Sequence, residues 1–157
     1  MESEDRPAFH ESPIPFDSSR VHALAVYCSD GRFGEQFDDL LEHKLGLPRY
    51  DRLAIPGGAA ALASHFVAHR EEQGAFEHLR FLIEAHDITH VVLVAHQDCG
   101  FYTERLKVSP LQLETQQRED IIKAIRRVAT IRSGLKIEAF FARLHWDEGV
   151  HFERVEV

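Results

Sequence analysis

The sequence predicts a single α/β domain: an open, mainly parallel β-sheet with helices packed on its faces. Three observations carry that expectation. Short apolar runs alternate with segments of helical spacing along the chain. Those runs are nearly continuous, as expected of strands covered on both faces. Two of them end in polar turns that hold the only two cysteines, Cys28 and Cys99. In open sheets of this kind, ligands gather beyond the carboxyl ends of the strands, where the topology switches direction.

The elements follow in order. Residues 21–27 are an apolar strand ending in the turn Cys28-Ser29-Asp30-Gly31-Arg32. Phe37, Leu40, Leu41 and Leu45 recur at helical spacing, and Gly46 and Pro48 stop that helix. Residues 49–55 read as a second strand, followed by Pro56-Gly57-Gly58. A small-residue helix is expected over 59–70, and another over 76–86 with Phe76, Leu79, Leu82 and Ile83 on one face. Residues 89–95 are the clearest strand, rich in valine, ending in His96-Gln97-Asp98-Cys99-Gly100. Residues 111–131 form a long charged amphipathic helix, 136–144 a fourth strand, and 150–157 a fifth at a sheet edge. Alternation of this kind gives a Rossmann-like three-layer arrangement.

Composition bounds the function. A chain of 157 residues fits one domain, and 44% hydrophobic with 28% charged residues suits a globular core. Twenty-six acidic against 18 basic residues leave a net charge of −8, which argues against nucleic acid or an anionic membrane as partner. No apolar run approaches the roughly 18–20 residues that span a bilayer. Residues 1–20 carry Pro7, Pro13 and Pro15 and few apolar positions, so they read as a flexible arm before a domain over 21–157. That arm lacks the apolar stretch of a secretory signal, and a cytoplasmic location with reduced cysteines is the expectation.

The polar turns carry the chemistry. His96 and Cys99 form an H-x-x-C pair just past the third strand, and Cys28 stands just past the first. Two thiolates and one imidazole at about 2.0–2.3 Å suit Zn²⁺ and leave a fourth position open. The same residues could instead be small core cysteines beside a capping histidine. Asp30 and Arg32 follow Cys28 at alternate positions, so the guanidinium fork could hold the carboxylate by two charge-assisted hydrogen bonds. Beside a metal, such a carboxylate would orient a bound water, or swing in as a fourth ligand. Away from one it is a surface ion pair or turn.

Cys28-Ser29-Asp30-Gly31-Arg32 and His96-Gln97-Asp98-Cys99-Gly100, in this order with a glycine-rich turn between them, resemble the signature of the β-class carbonic anhydrases. The resemblance runs over about residues 21–105. It implies that Cys28, His96 and Cys99 ligate one zinc ion per chain and that Asp30 and Arg32 form the catalytic dyad, with Asp30 a fourth ligand in a closed state. It further implies reversible hydration of carbon dioxide to bicarbonate by zinc-bound hydroxide, a homodimer or larger homo-oligomer, and an N-terminal arm that wraps a partner. The chain departs from the pattern where the family usually has Arg-Asn-Ala-Gly: here the segment is Arg52-Leu53-Ala54-Ile55-Pro56-Gly57-Gly58-Ala59, with Gly57 and Gly58 as pocket residues. Gly31 also replaces a common serine or alanine. Two alternatives follow. An apolar mouth around Phe33, Leu53 and Ile55 would suit a hydrolase of carbonyl sulfide or carbon disulfide. A closed pocket at Pro56-Gly57-Gly58 would leave an inactive zinc- or bicarbonate-binding homologue.

The remaining polar residues have plainer readings. His22 and His90 are expected within strands, and His43, His65, His69, His78 and His86 on partly exposed helix faces. Arg118, Glu119, Asp120, Lys123, Arg126 and Arg127 read as the solvated face of one helix. Asp98 is either a turn residue or a hydrogen-bond partner of a ligand, and His145 and Trp146 lie near a strand end.

Overall fold

The computed structural model describes residues 6–156. Five strands, β1 (Ala23–Cys28), β2 (Asp51–Ile55), β3 (His90–His96), β4 (Lys136–Leu144) and β5 (Val150–Val155), make one sheet in the order β2-β1-β3-β4-β5. All neighbours are parallel except β4 and β5. The helices are α1 (Gly34–Asp39), which runs on through a π turn at Leu40–Lys44, α2 (His69–Ala85) and α3 (Leu113–Ala129). None of these helices is long and apolar enough to cross a membrane.

Strand parity distributes the core. Leu24 and Val26 of β1, with Val91 and Leu93 of β3, pack beneath α2 and α3 against Leu79, Ile83, Ile121 and Ala124. Ala25 and Tyr27, with Val92 and Val94, face the other way onto Phe37, Leu40 and Leu41 of the α1 segment. Both faces of the central strands are therefore covered, which is why their sequences run apolar without alternation. Each such side chain contributes roughly 1.5–3 kcal/mol by leaving water. The edge strand β2 is only half buried, and β5 pairs with β4 alone.

Three local expectations need correction. No single helix spans 59–70: short 3-10 turns at Gly58–Leu62 and Phe66–Ala68 are separated by Ser64 in the left-handed region at φ 72°. The predicted helix at 76–86 instead begins at His69, because chain direction is reset at Ser64 and His65. His22 lies before β1 and is exposed, with its Nδ1 on the Asp87 carbonyl at 3.0 Å. Of the expected N-terminal arm, residues 1–5 lie outside the described residues; residues 6–20 are exposed and form neither helix nor strand. Arg49 ties that stretch to the domain through Asp17 Oδ2 at 3.0 Å and Ser19 Oγ at 2.6 Å.

Candidate metal centre

The order β2-β1-β3 means the chain leaves β1 on one side and returns on the other, so the topological switch falls between β1 and β3. Cys28 closes β1 and His96 closes β3. Val26 pairs with Leu93, which puts Cys28 level with Ala95 and His96 one residue further along. By strand parity Cys28 points toward the α2–α3 layer and His96 toward α1. Their side chains meet at the sheet's carboxyl edge, where no further strand separates the layers. Cys99 is returned to them by a tight turn in which Asp98 adopts φ 55°, a conformation that aspartate tolerates better than most residues. Asp98 itself is exposed, so it is a turn residue.

Cys28, His96 and Cys99 are all buried, and one donor atom from each lies within 4.8 Å of the other two. The two Sγ atoms are 4.0 Å apart and both cysteines are free. His96 Nδ1 donates to the Gln97 carbonyl at 2.8 Å, which leaves Nε2 as the lone-pair nitrogen. That Nε2 is buried and has no hydrogen-bond partner. An orphaned imidazole nitrogen beside two thiols is a costly arrangement for a plain core and a fitting one for a metal ion. These three residues can hold such an ion.

The three groups bias one another's protonation. The Cys99 thiol donates to Cys28, and backbone N–H groups of Asp30 and Gly57 also face that sulfur; together they outweigh burial and lower the Cys28 pKa. Cys99 is correspondingly raised by the Cys28 thiolate and by burial. For His96 burial disfavours charge, but the Cys28 thiolate and the Gln97 carbonyl prevail and raise its pKa. The Phe33 ring lies over the imidazole with centroids 4.4 Å apart.

Asp30 sits at the rim. Arg32 grips it with Nε on Oδ1 at 3.0 Å and Nη2 on Oδ2 at 2.6 Å, and the Arg32 backbone N–H adds a third bond at 3.1 Å. This fork holds the carboxyl at about 2 against the penalty of partial burial. Asp30 is not among the residues whose donor atoms cluster within 4.8 Å.

Gly57 and Gly58 explain why the segment between the motifs is glycine-rich. Gly57 adopts φ +82° and Gly58 φ +54°. A Cβ on Gly58 would stand 2.6 Å from the Cys28 backbone nitrogen and 2.7 Å from the Tyr27 carbonyl carbon. A Cβ on Gly57 would stand 2.5 Å from the Phe101 ring. The turn therefore presses its backbone directly on the end of β1, which only glycine permits. Next to it, Ile55, Pro56, Ala61, Phe101, Glu72 and His78 help line a cavity of about 250 Å³. Phe33 and Leu53 do not form an apolar mouth there: Phe33 is buried on His96 and Leu53 packs against the core.

Several α3 residues expected on a solvated face are buried or partly buried. Asp120 is fully buried rather than solvated, and Arg118 and Arg127 are partly buried, Arg127 donating to the Leu62 carbonyl at 2.6 Å. Gln117, also buried, donates from Nε2 to the His96 carbonyl at 2.8 Å. Their spacing held the signal: 113, 117, 120, 121, 124 and 128 are the buried positions of α3 and share one helical face. His65 likewise lies between two buried carboxylates, Glu72 and Asp120, instead of on a helix face.

Solved structures share this architecture. The β-carbonic anhydrase isoform I of the protozoan Trichomonas vaginalis superposes with a TM-score of 0.55 at 14% identity, covering 92% of this chain and 87% of that one. A carbonic anhydrase from Glaciozyma antarctica gives 0.56 at 15% identity, covering 86% and 82%. The sheet and its flanking helices are thus a single-domain α/β fold of the β-carbonic anhydrase type. Residues 18–151 match the family described as "Putative carbonic anhydrase", and the chain belongs to that family. Two curated relatives are themselves uncharacterized. One, from Rickettsia bellii, is 25% identical over 114 residues, 70% of this chain and 68% of that protein. Another, from Rickettsia conorii, is 28% identical over 102 residues, 64% of this chain and 53% of that protein.

Proposed function

We propose that this protein is a zinc-dependent carbonic anhydrase that interconverts carbon dioxide and bicarbonate. The observation that carries the reading is the buried Cys28–His96–Cys99 cluster with an unpartnered imidazole nitrogen, followed at once by the Asp30–Arg32 pair. Cys28 Sγ, Cys99 Sγ and His96 Nε2 would hold the zinc, which supplies Lewis acidity and lowers the pKa of water toward about 7.

The chain's own groups divide the remaining work. Asp30, ionised at every pH above about 2, offers a carboxylate oxygen as a hydrogen-bond acceptor at the rim. Arg32 fixes that carboxylate by two parallel bonds and restrains its rotation. The Gln97 carbonyl orients His96, and Phe33 covers the ring's face. Two unpaired cysteines are commoner in reducing compartments, which supports a cytoplasmic protein. Exposed Phe9, Phe16, Phe66 and Trp146 support a homodimer or larger homo-oligomer, to be read from its mass in solution.

Stopped-flow hydration of carbon dioxide by the zinc-loaded protein, from pH 6.5 to 9, tests the reading. A rate well above buffer that rises with pH supports it. Zinc bound with no rate above buffer, or turnover of carbonyl sulfide alone, rejects it.

A further inference from the structure

The buried polar groups beside the centre are not used by the mechanism above. Asp120 Oδ2 accepts from the Tyr102 hydroxyl at 2.8 Å and faces His65 Nε2 at 2.7 Å, while Gln116 Nε2 donates to Oδ1 at 3.0 Å. His65 Nδ1 and its backbone N–H meet the Glu72 carboxylate at 2.9–3.1 Å. Asp120, Glu72 and Tyr102 are all at most 2% exposed. Apolar packing of the same volume often matches a buried ionic cluster in stability, so the placing of this network beside the cysteines, rather than its stability, points to a positional role.

Its geometry shows what is positioned. Tyr102 packs with Cys28, Cys99 and Leu113, and its backbone N–H donates to the Cys99 carbonyl at 3.1 Å. One turn of α3 therefore holds Cys99 through Asp120 and Tyr102, and holds His96 through the bond from Gln117 to the His96 carbonyl. The third tie runs from Asp120 through His65 to the segment that follows the Gly58–Leu62 turn, whose backbone abuts Cys28. We propose that Asp120 and Gln117 of α3 are positioning residues that set the geometry of the Cys28–His96–Cys99 cradle, Asp120 acting through Tyr102 and His65. The inference rests on the reading that this cradle binds a metal.

Tyr102→Phe keeps the ring and deletes the bond to Asp120; Gln117→Leu deletes the bond to His96; Lys123→Ala, on the exposed side of α3, is the control. Zinc affinity is measured by chelator competition, and the ligand field by the visible spectrum of the Co²⁺-substituted protein. Thermal unfolding is recorded without metal. We expect each of the first two variants to weaken zinc about tenfold or more and to shift the Co²⁺ bands, with the control unchanged. Asp120→Asn, whose amide oxygen still accepts from Tyr102, should retain more of the wild-type spectrum than Tyr102→Phe. If Tyr102→Phe does not fold, Gln117→Leu reads the same cradle from its other side. Lower melting temperatures with wild-type zinc affinity and an unchanged Co²⁺ spectrum would overturn the proposal and leave the metal reading intact. A wild-type protein that takes up no stoichiometric zinc or cobalt would overturn both.

Discussion

Gly58→Ala is the most demanding test of how the centre is built. The residue holds φ +54°, where an L side chain costs roughly 1–2 kcal/mol. The new Cβ would also stand 2.6 Å from the Cys28 nitrogen and 2.7 Å from the Tyr27 carbonyl carbon. Both atoms are backbone at the end of strand β1, where Tyr27 and Cys28 pair with Ala54 and Ile55 of β2, so they cannot easily step aside. Overpacking of that kind adds about 1–3 kcal/mol, for a sum of about 2–5 kcal/mol. In a domain of this size that lowers the melting temperature by about 4–20 °C. Gly57→Ala meets the Phe101 ring instead, a side chain that can rotate, so its loss should be the smaller. Gly31→Ala has no neighbour within 4 Å, so it should stay within about 0.5 kcal/mol of wild type. Thermal unfolding by circular dichroism, with and without zinc, ranks the three. A Gly58→Ala protein melting within 2 °C of wild type would refute the reasoning, because the turn would then not press on β1.

Three further outcomes follow from the same geometry. Cys28→Ala and His96→Ala should each lose most bound zinc in a metal analysis after dialysis, since each removes one of three donors. Asp30→Ala should keep zinc but hydrate carbon dioxide about 100-fold more slowly in stopped flow, as expected when a group that orients the reactants is lost. The His65 pKa is raised from 6.5 to about 9, burial being outweighed by Asp120 and Glu72. His65 should therefore add up to about 3 kcal/mol of stability, complete below pH ~6.5 and gone once pH has risen through about 9. Urea unfolding of wild type against His65→Gln at pH 6 and pH 9.5 checks this; an equal gap at both pH values would contradict it.

The strands were legible in the sequence because their burial on both faces leaves a local mark: continuous runs such as Val91–Val94 in β3. The helix expected over 59–70 was not, because alanine content favours helix while Ser64 and the paired glycines impose left-handed backbone that composition does not announce. Asp120 misled for a related reason. A carboxylate on a charged helix reads as solvated until a tyrosine hydroxyl and an imidazole are known to meet it.

By itself, the sequence determined the α/β architecture and the two motifs, since periodicity and the spacing of Cys28, Asp30, Arg32, His96 and Cys99 are local properties of the chain. Only the tertiary structure decided that Cys28 and His96, pointing to opposite layers by strand parity, meet at the carboxyl edge, and that α3 braces them from behind. Those contacts join residues tens of positions apart. They depend on the strand order β2-β1-β3 and on the register between β1 and β3, which no short stretch of sequence encodes.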